Sequence, residues 1–197
     1  MKEILYDWGG LNIWLFHAIN NVHGERLDQL MLLGTRLGGH GNFPVYLGLT
    51  ALAAIIAAGW DKRDNAATAR RWLLVLAVFS VAYVLDGWLL GWLKPLLDFP
   101  RPPLALPPGT VHIVGTAEFH HSLPSGHASF AMLLAASLWP ALCRSARIVA
   151  ALFVLWVGLS RVSLGVHFPA DVLAGFLASL LVVLLVRALL TRLSRTE

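Results

Sequence analysis

Ser160-Arg161-Val162-Ser163-Leu164-Gly165-Val166-His167-Phe168-Pro169-Ala170-Asp171 is a polar island between two apolar runs, residues 147–160 and 170–190. It packs an arginine, a histidine and an aspartate into one short turn, while the runs on either side are hydrophobic enough to sit in lipid. A bilayer core offers no water to backbone amides, so a spanning segment of this kind is a helix that satisfies its own hydrogen bonds. Ionisable groups beside such segments are expensive to desolvate and mark function. The stretch predicts two membrane helices joined by a short connection that carries chemistry.

Three further apolar runs lie upstream, at residues 43–59, 72–93 and 127–142. Crossing the hydrocarbon takes about 20 residues, within a range of about 17–25. Runs 72–93 and 170–190 meet that length outright. Run 43–59 is short unless it extends back through Gly38-Gly39-His40-Gly41-Asn42, and runs 127–142 and 147–160 span if their polar ends lie in the interface. A sixth span within residues 11–37 is opposed by Asp28 and Arg36. Residues 11–22 set Leu11, Trp14, Leu15, Ala18, Ile19 and Val22 opposite Asn12, His17, Asn20 and Asn21, the pattern of an amphipathic helix. Such a helix either lies in the membrane interface or packs on the core. The expected fold is all-α: a polytopic membrane helix bundle with five to six transmembrane helices and an N-terminal amphipathic segment over residues 1–42, all within a single domain 1–197.

Composition supports that class. The 197 residues are 57% hydrophobic and only 13% charged, where a soluble domain carries about 25% charge. The one cysteine, Cys143, excludes an internal disulfide and a cysteine metal cluster. No cleavable signal peptide is expected, because Lys2, Glu3 and Asp7 precede an apolar stretch broken by Asn20, Asn21 and His23.

The basic residues set an orientation. Lys62, Arg63, Arg70 and Arg71 follow the first run, Arg144 and Arg147 lie between the third and fourth, and Arg187, Arg192 and Arg195 close the chain. Antiparallel spans put all three groups on one side, which the positive-inside rule makes cytoplasmic. Beyond the first span, the other side has only Lys94, Arg101 and Arg161.

Those three cations belong to segments that the topology brings to one membrane face. Lys94–Pro102 leaves the second span, Pro124-Ser125-Gly126-His127 enters the third, and the opening stretch joins the fourth and fifth. Lys94, Arg101 and Arg161 are enough to clamp a phosphate dianion and its pentavalent transition state, arginine offering a planar fork of donors. Ser125 adds a hydroxyl, and Gly126 allows close backbone approach at a helix start, where free amides favour an anion. His127 and His167 are the groups able to move protons near neutral pH; one can attack phosphorus while the other protonates the leaving oxygen. Asp171, one helical turn after His167, is placed to accept from one imidazole nitrogen and leave the other free.

Lys-x6-Arg-Pro, Pro-Ser-Gly-His and Ser-Arg-x5-His-x3-Asp, in this order over residues 94–171, resemble the three signature motifs of the type-2 phosphatidic acid phosphatase family, kin to vanadium haloperoxidases and glucose-6-phosphatase. The resemblance implies a metal-free phosphatase that works through a phosphohistidine and needs no cofactor. By it, His167 attacks, Asp171 orients it, and His127 is the acid that then helps activate water. Lys94, Arg101, Ser125, Gly126 and Arg161 bind the phosphate. The implied substrate is a lipid phosphate or diphosphate at the outer face of a bacterial inner membrane, with undecaprenyl diphosphate favoured over phosphatidic acid, phosphatidylglycerophosphate and lipid A phosphates. No nucleic acid partner is expected. A lipid-to-lipid phosphotransferase using the same site is the alternative, and a non-catalytic protein that binds or transports anionic lipid is a weaker one.

Several polar residues fall outside the motifs. His120 and His121 read as solvent-facing loop residues, since Glu118 is the one acidic residue near ligand spacing. Asp86 lies inside the second span and reads as a buried hydrogen-bonding group. Gly175, Ala178 and Ser179 suggest close helix packing. The long connection 103–123 carries Val111, Ile113, Val114 and Phe119, which suit a lid or a guide for a lipid tail.

Overall fold

The computed structural model describes residues 6–61 and 64–194. Lys2, Lys62, Arg63 and Arg195 lie outside them. Seven helices of ten residues or more carry the described chain: α1 Leu11–Asn20, α2 Glu25–Leu37, α3 Phe43–Trp60, α4 Asn65–Leu97, α5 Gly126–Leu138, α6 Arg144–Ser163 and α7 Pro169–Leu193. Their starts follow local chemistry. Pro44 sits in the first turn of α3 and Pro169 in that of α7, where a missing amide is harmless. Asp64 caps α4 by accepting from the Ala67 amide at 2.8 Å.

Four segments are long and apolar enough to cross a membrane: His40–Trp60, Asn65–Ala105, Arg144–Ser163 and Pro169–Leu193. The fifth expected run is the shorter apolar helix α5 of 13 residues, about 20 Å at helical rise. It stops at Leu138 rather than residue 142 because Pro140 lacks an amide and restricts Trp139 before it. Residues 11–37 fold as two helices of 10 and 13 residues, neither long enough to span.

α5 stands at the centre, against α4, α6 and α7; α3 lies on α4, and α2 on α6. Phe79, Ala82, Phe130, Leu133 and Val183 form the main core. α3 buries only Thr50 and turns Leu49, Leu52 and Ile55 outward, as a lipid-facing helix does. Close approach of α5 and α7 depends on Gly175, where a Cβ would stand 2.5 Å from the Ser125 carbonyl. Buried Asp86 accepts from Ser129 at 2.8 and 2.9 Å and from Ser179 at 2.7 Å, and lies 3.6 Å from His40 Nε2. It has the hydrogen-bonding role expected of it, tying α4, α5 and α7 together.

The amphipathic α1 is turned with its polar side inward. Asn12, Phe16 and Asn20 are buried, whereas Leu11 and Trp14 are exposed. Asn12 Oδ1 accepts from the Ala170 amide at 3.0 Å. Asn20 donates to the Ser163 and His112 carbonyls at 2.9 and 2.8 Å and accepts from the His112 amide at 2.8 Å. α1 thereby braces the polar connection between α6 and α7 from outside.

Candidate active site

The end of α4, the start of α5, the end of α6 and the start of α7 lie at one end of the bundle, as their alternation requires. His167 is buried, and its ring is gripped from two sides. Nδ1 lies 3.3 Å from Asp171 Oδ2 and 3.4 Å from Ser122 Oγ. On the other edge, Arg101 Nη1 donates to Nε2 at 3.5 Å. This arrangement fits the tautomer with the proton on Nδ1, facing the carboxylate, and the lone pair on Nε2, facing the cation. Burial pushes the His167 imidazole down to about 4 against the opposing pull of Asp171, so the ring is neutral near pH 7.

Asp171 is fully buried. Its Oδ2 also accepts from Ser122 Oγ at 2.5 Å and from the Phe168 amide at 2.8 Å, while Oδ1 accepts from the Tyr6 phenol at 2.8 Å. One carboxylate both caps α7 and fixes the histidine that precedes it. Burial, and then the Asp171 charge, raise the Tyr6 phenol above its ordinary value, so it stays a donor.

The residues expected to clamp a phosphate gather around this pair. Arg101 Nε donates to the His120 carbonyl at 2.9 Å, and Nη2 meets Glu118 Oε2 at 2.7 Å. Arg161 is buried, and its Nη1 donates to Thr35 Oγ1 of α2. The Arg161 carbonyl receives the Val166 and His167 amides at 3.1 Å each, closing the turn. Ser125 sits at the α5 N-cap with its amide bonded to the Asp171 carbonyl at 2.9 Å. Two polar atoms, Ser125 Oγ and Arg161 Nε, are buried without a hydrogen-bond partner, a state that an anion between them would relieve. A Cβ on Gly126 would meet open space, so room remains above the helix start. His127 lies within electrostatic reach of Arg161, His167 and Lys94, and Lys94 within reach of Arg101, Arg161 and Asp171. Lys94 is half-buried and contributes charge rather than a hydrogen bond.

Tyr6, Ser122 and Thr35 hold the site, yet none belongs to a motif. Ser122, two residues before Pro124, was open to inference from its place beside Pro-Ser-Gly-His. Tyr6 and Thr35 act across long sequence distances and had no local signal. The 103–123 connection is pinned. The Val114 amide bonds to the Leu164 carbonyl at 3.3 Å, and Val111 packs inside, although Ile113 and Phe119 remain exposed. Gly165 permits this contact: its φ is +74°, and a Cβ would stand 2.3 Å from the His112 carbonyl. His120 and His121 are 63% and 49% exposed, each with Nδ1 toward Asp98. Among the described residues, no group of three histidine, cysteine or acidic side chains is placed to hold a metal ion.

The family model for the PAP2 superfamily matches residues 72–195. The chain is 32% identical to a phosphatidylglycerophosphatase B of Bacillus subtilis over 160 residues, 71% of this chain and 66% of that relative. It is 30% identical to an undecaprenyl-diphosphatase of Sulfolobus acidocaldarius over 171 residues, 85% of this chain and 73% of that protein. The crystal structure of Aquifex aeolicus LpxE superposes with a TM-score of 0.71 at 25% identity, covering 89% of this chain and 94% of that one.

Proposed function

The chain belongs to the PAP2 superfamily, and from that premise we propose that this multi-pass membrane protein is a lipid phosphatase that works through a phosphohistidine on His167. The observation that carries the mechanism is the His167 ring held between Asp171 at Nδ1 and Arg101 at Nε2. The Nε2 lone pair attacks phosphorus while Lys94, Arg101 and Arg161 neutralise the phosphoryl oxygens. Ser125 Oγ and the first amides of α5 complete the cradle. Burial, and then the Arg161 charge, push the His127 imidazole down to about 3. The negative charge of a bound phosphate opposes this shift and lets His127 hold a proton, which the lipid-side oxygen takes as its bond to phosphorus breaks. A water then gives a proton to His127 and attacks the phosphohistidine, releasing phosphate and restoring both histidines. Throughout, Asp171 holds the Nδ1 proton and stabilises the charge that develops on the ring.

Undecaprenyl diphosphate is the favoured substrate, with the outer membrane face as the site's location. The name of the Sulfolobus relative supports the first, and the distribution of arginines supports the second. Phosphatidylglycerophosphate, named by the Bacillus relative, is the main competitor. Because Tyr6, Asn12 and Thr35 all touch the site or its frame, the N-terminal helices belong to the same catalytic unit.

Phosphate release from purified protein across a panel of lipid phosphates and diphosphates tests this reading. Release by the wild type, absent from His167→Ala, is expected, with the fastest turnover on a polyprenyl diphosphate. Inactivity on every lipid phosphate would overturn the proposal, and transfer of the phosphoryl group to an added lipid acceptor would redefine the second half-reaction.

A further inference from the structure

At the end of the bundle opposite the catalytic site, α5 stops short and leaves α6 and α7 without a third wall. A crevice of about 460 Å³ opens there, a size typical of small-molecule sites, which run from about 300 to 1,000 Å³. The small side chains of Ala135 and Ala136 of α5 and Ala151 of α6 line its floor, and Leu155 and Phe176 line it beside them. A second apolar hollow of about 300 Å³ shares Leu155 and Phe176 and continues the crevice along the seam between α6 and α7.

One arginine, Arg187, lines the crevice, and a second, Arg147, stands against its Trp139 wall. Arg187 reaches from α7 to the last turn of α5, where Nη2 donates to the Ala136 and Ser137 carbonyls at 2.7 and 3.0 Å. Arg147 comes from α6, with Nε donating to the Trp139 carbonyl at 3.1 Å and the guanidinium carbon 5.6 Å from the centre of the Trp139 ring. Capping the carbonyl end of α5 accounts for one nitrogen of each arginine. Among the described residues, no carboxylate pairs with Arg147, Arg187 or the neighbouring Arg144 and Arg192. A guanidinium lining an apolar slot, with a second held beside it on Trp139, matches a phosphate with a hydrocarbon tail, because arginine forks favour phosphate oxygens and the slot favours methylenes.

We propose that this crevice is a binding site for an anionic phospholipid from the leaflet opposite the catalytic site. Its phosphate lies against Arg147 and Arg187, and one acyl chain runs along the α6–α7 seam toward Phe176. The site is separate from the reaction, and its lipid is not the substrate.

Full-length protein in phosphatidylcholine nanodiscs, doped with a phosphatidylglycerol probe bearing a photoreactive acyl chain, tests the proposal. Crosslinks should map to crevice residues and be competed by unlabelled phosphatidylglycerol but not by added phosphatidylcholine. Arg147→Gln should weaken the probe about tenfold, the loss of one charge-assisted contact. Ala151→Trp, a lipid-facing substitution that fills the floor, should abolish crevice labelling. Retained phosphatase activity in both variants shows that they fold. Equal competition by the two lipids, labelling unchanged in both variants, or protein-to-protein adducts in place of lipid adducts would each overturn the proposal, the last by making the crevice an interface between copies.

Discussion

Asp171 collects a phenol, a serine hydroxyl, a backbone amide and an imidazole within one buried carboxylate. Such a group has one stable orientation, and His167 inherits it. Losing one donor to a buried charge removes about 1.5–3 kcal/mol of stabilisation. Tyr6→Phe should therefore lower kcat by roughly tenfold or more while leaving KM nearly unchanged, since the phenol aims the nucleophile and does not touch the substrate. Steady-state kinetics on a short-chain lipid phosphate would check this, and a rise in KM alone would contradict it. The acid limb follows from burial of His167, whose imidazole is pushed down to about 4. The ring must be neutral to attack, so the acid limb set by His167 lies at about 4, well below the ordinary histidine value of about 6.5, while loss of the His127 proton sets the opposite limb. The pH profile of kcat/KM, corrected for ionisation of the substrate phosphate, would test that placement. At this scale the motif residues were legible because each carries its chemistry in its type and spacing. Tyr6 and Thr35 were not, since an ordinary tyrosine or threonine far from any motif has no pattern to betray its partner.

The start of α7 and the middle of the bundle show how elements hold the site. Asp86 of α4, Ser129 of α5 and Ser179 of α7 form one buried polar knot, in which both hydroxyls donate to the carboxylate and lie against each other. Asp86→Ala leaves two buried hydroxyls without their acceptor and opens a cavity beneath the phosphate cradle, for a loss of about 3 kcal/mol. A marked drop in thermal stability in detergent is the expected outcome, together with weaker activity, because α5 and α7 carry His127 and Asp171. The apolar runs predicted α3, α6 and α7 to within three residues at each end, whereas α4 starts seven residues before its run and ends four beyond it. α5 came out shorter than its run because Pro140 ends it, and hydrophobicity alone does not register a missing amide. The direction of α1 was hidden for a related reason. Its asparagines look like a wetted face, yet they meet carbonyls and amides of the connection that need partners, while Leu11, Ile13 and Trp14 are exposed.

As a whole, the molecule separates its charges between the two ends of the bundle, with the cations of the proposed site at one and, among the described residues, arginines without a carboxylate partner at the other. Cys143, the single cysteine of the chain, is exposed at the second end. A hydrogen bond with Ser145 lowers its thiol below the ordinary value, which favours reaction with thiol reagents. If the site faces outward, a membrane-impermeant maleimide should label Cys143 in inverted vesicles and spare it in intact cells; the reverse pattern would invert the proposed topology. Activity that survives a chelator is expected of a histidine nucleophile, and a loss restored by a divalent cation would argue for a different chemistry. The central claim is that the phosphoryl group passes through His167. Rapid mixing with a lipid diphosphate labelled at its terminal phosphorus, followed by alkaline quench and peptide mapping, tests it directly. The account predicts an acid-labile, alkali-stable phosphoryl group on His167 that forms and decays at rates consistent with turnover and is absent from His167→Ala. Turnover at full rate with no label on His167, or with label on another residue, would contradict it.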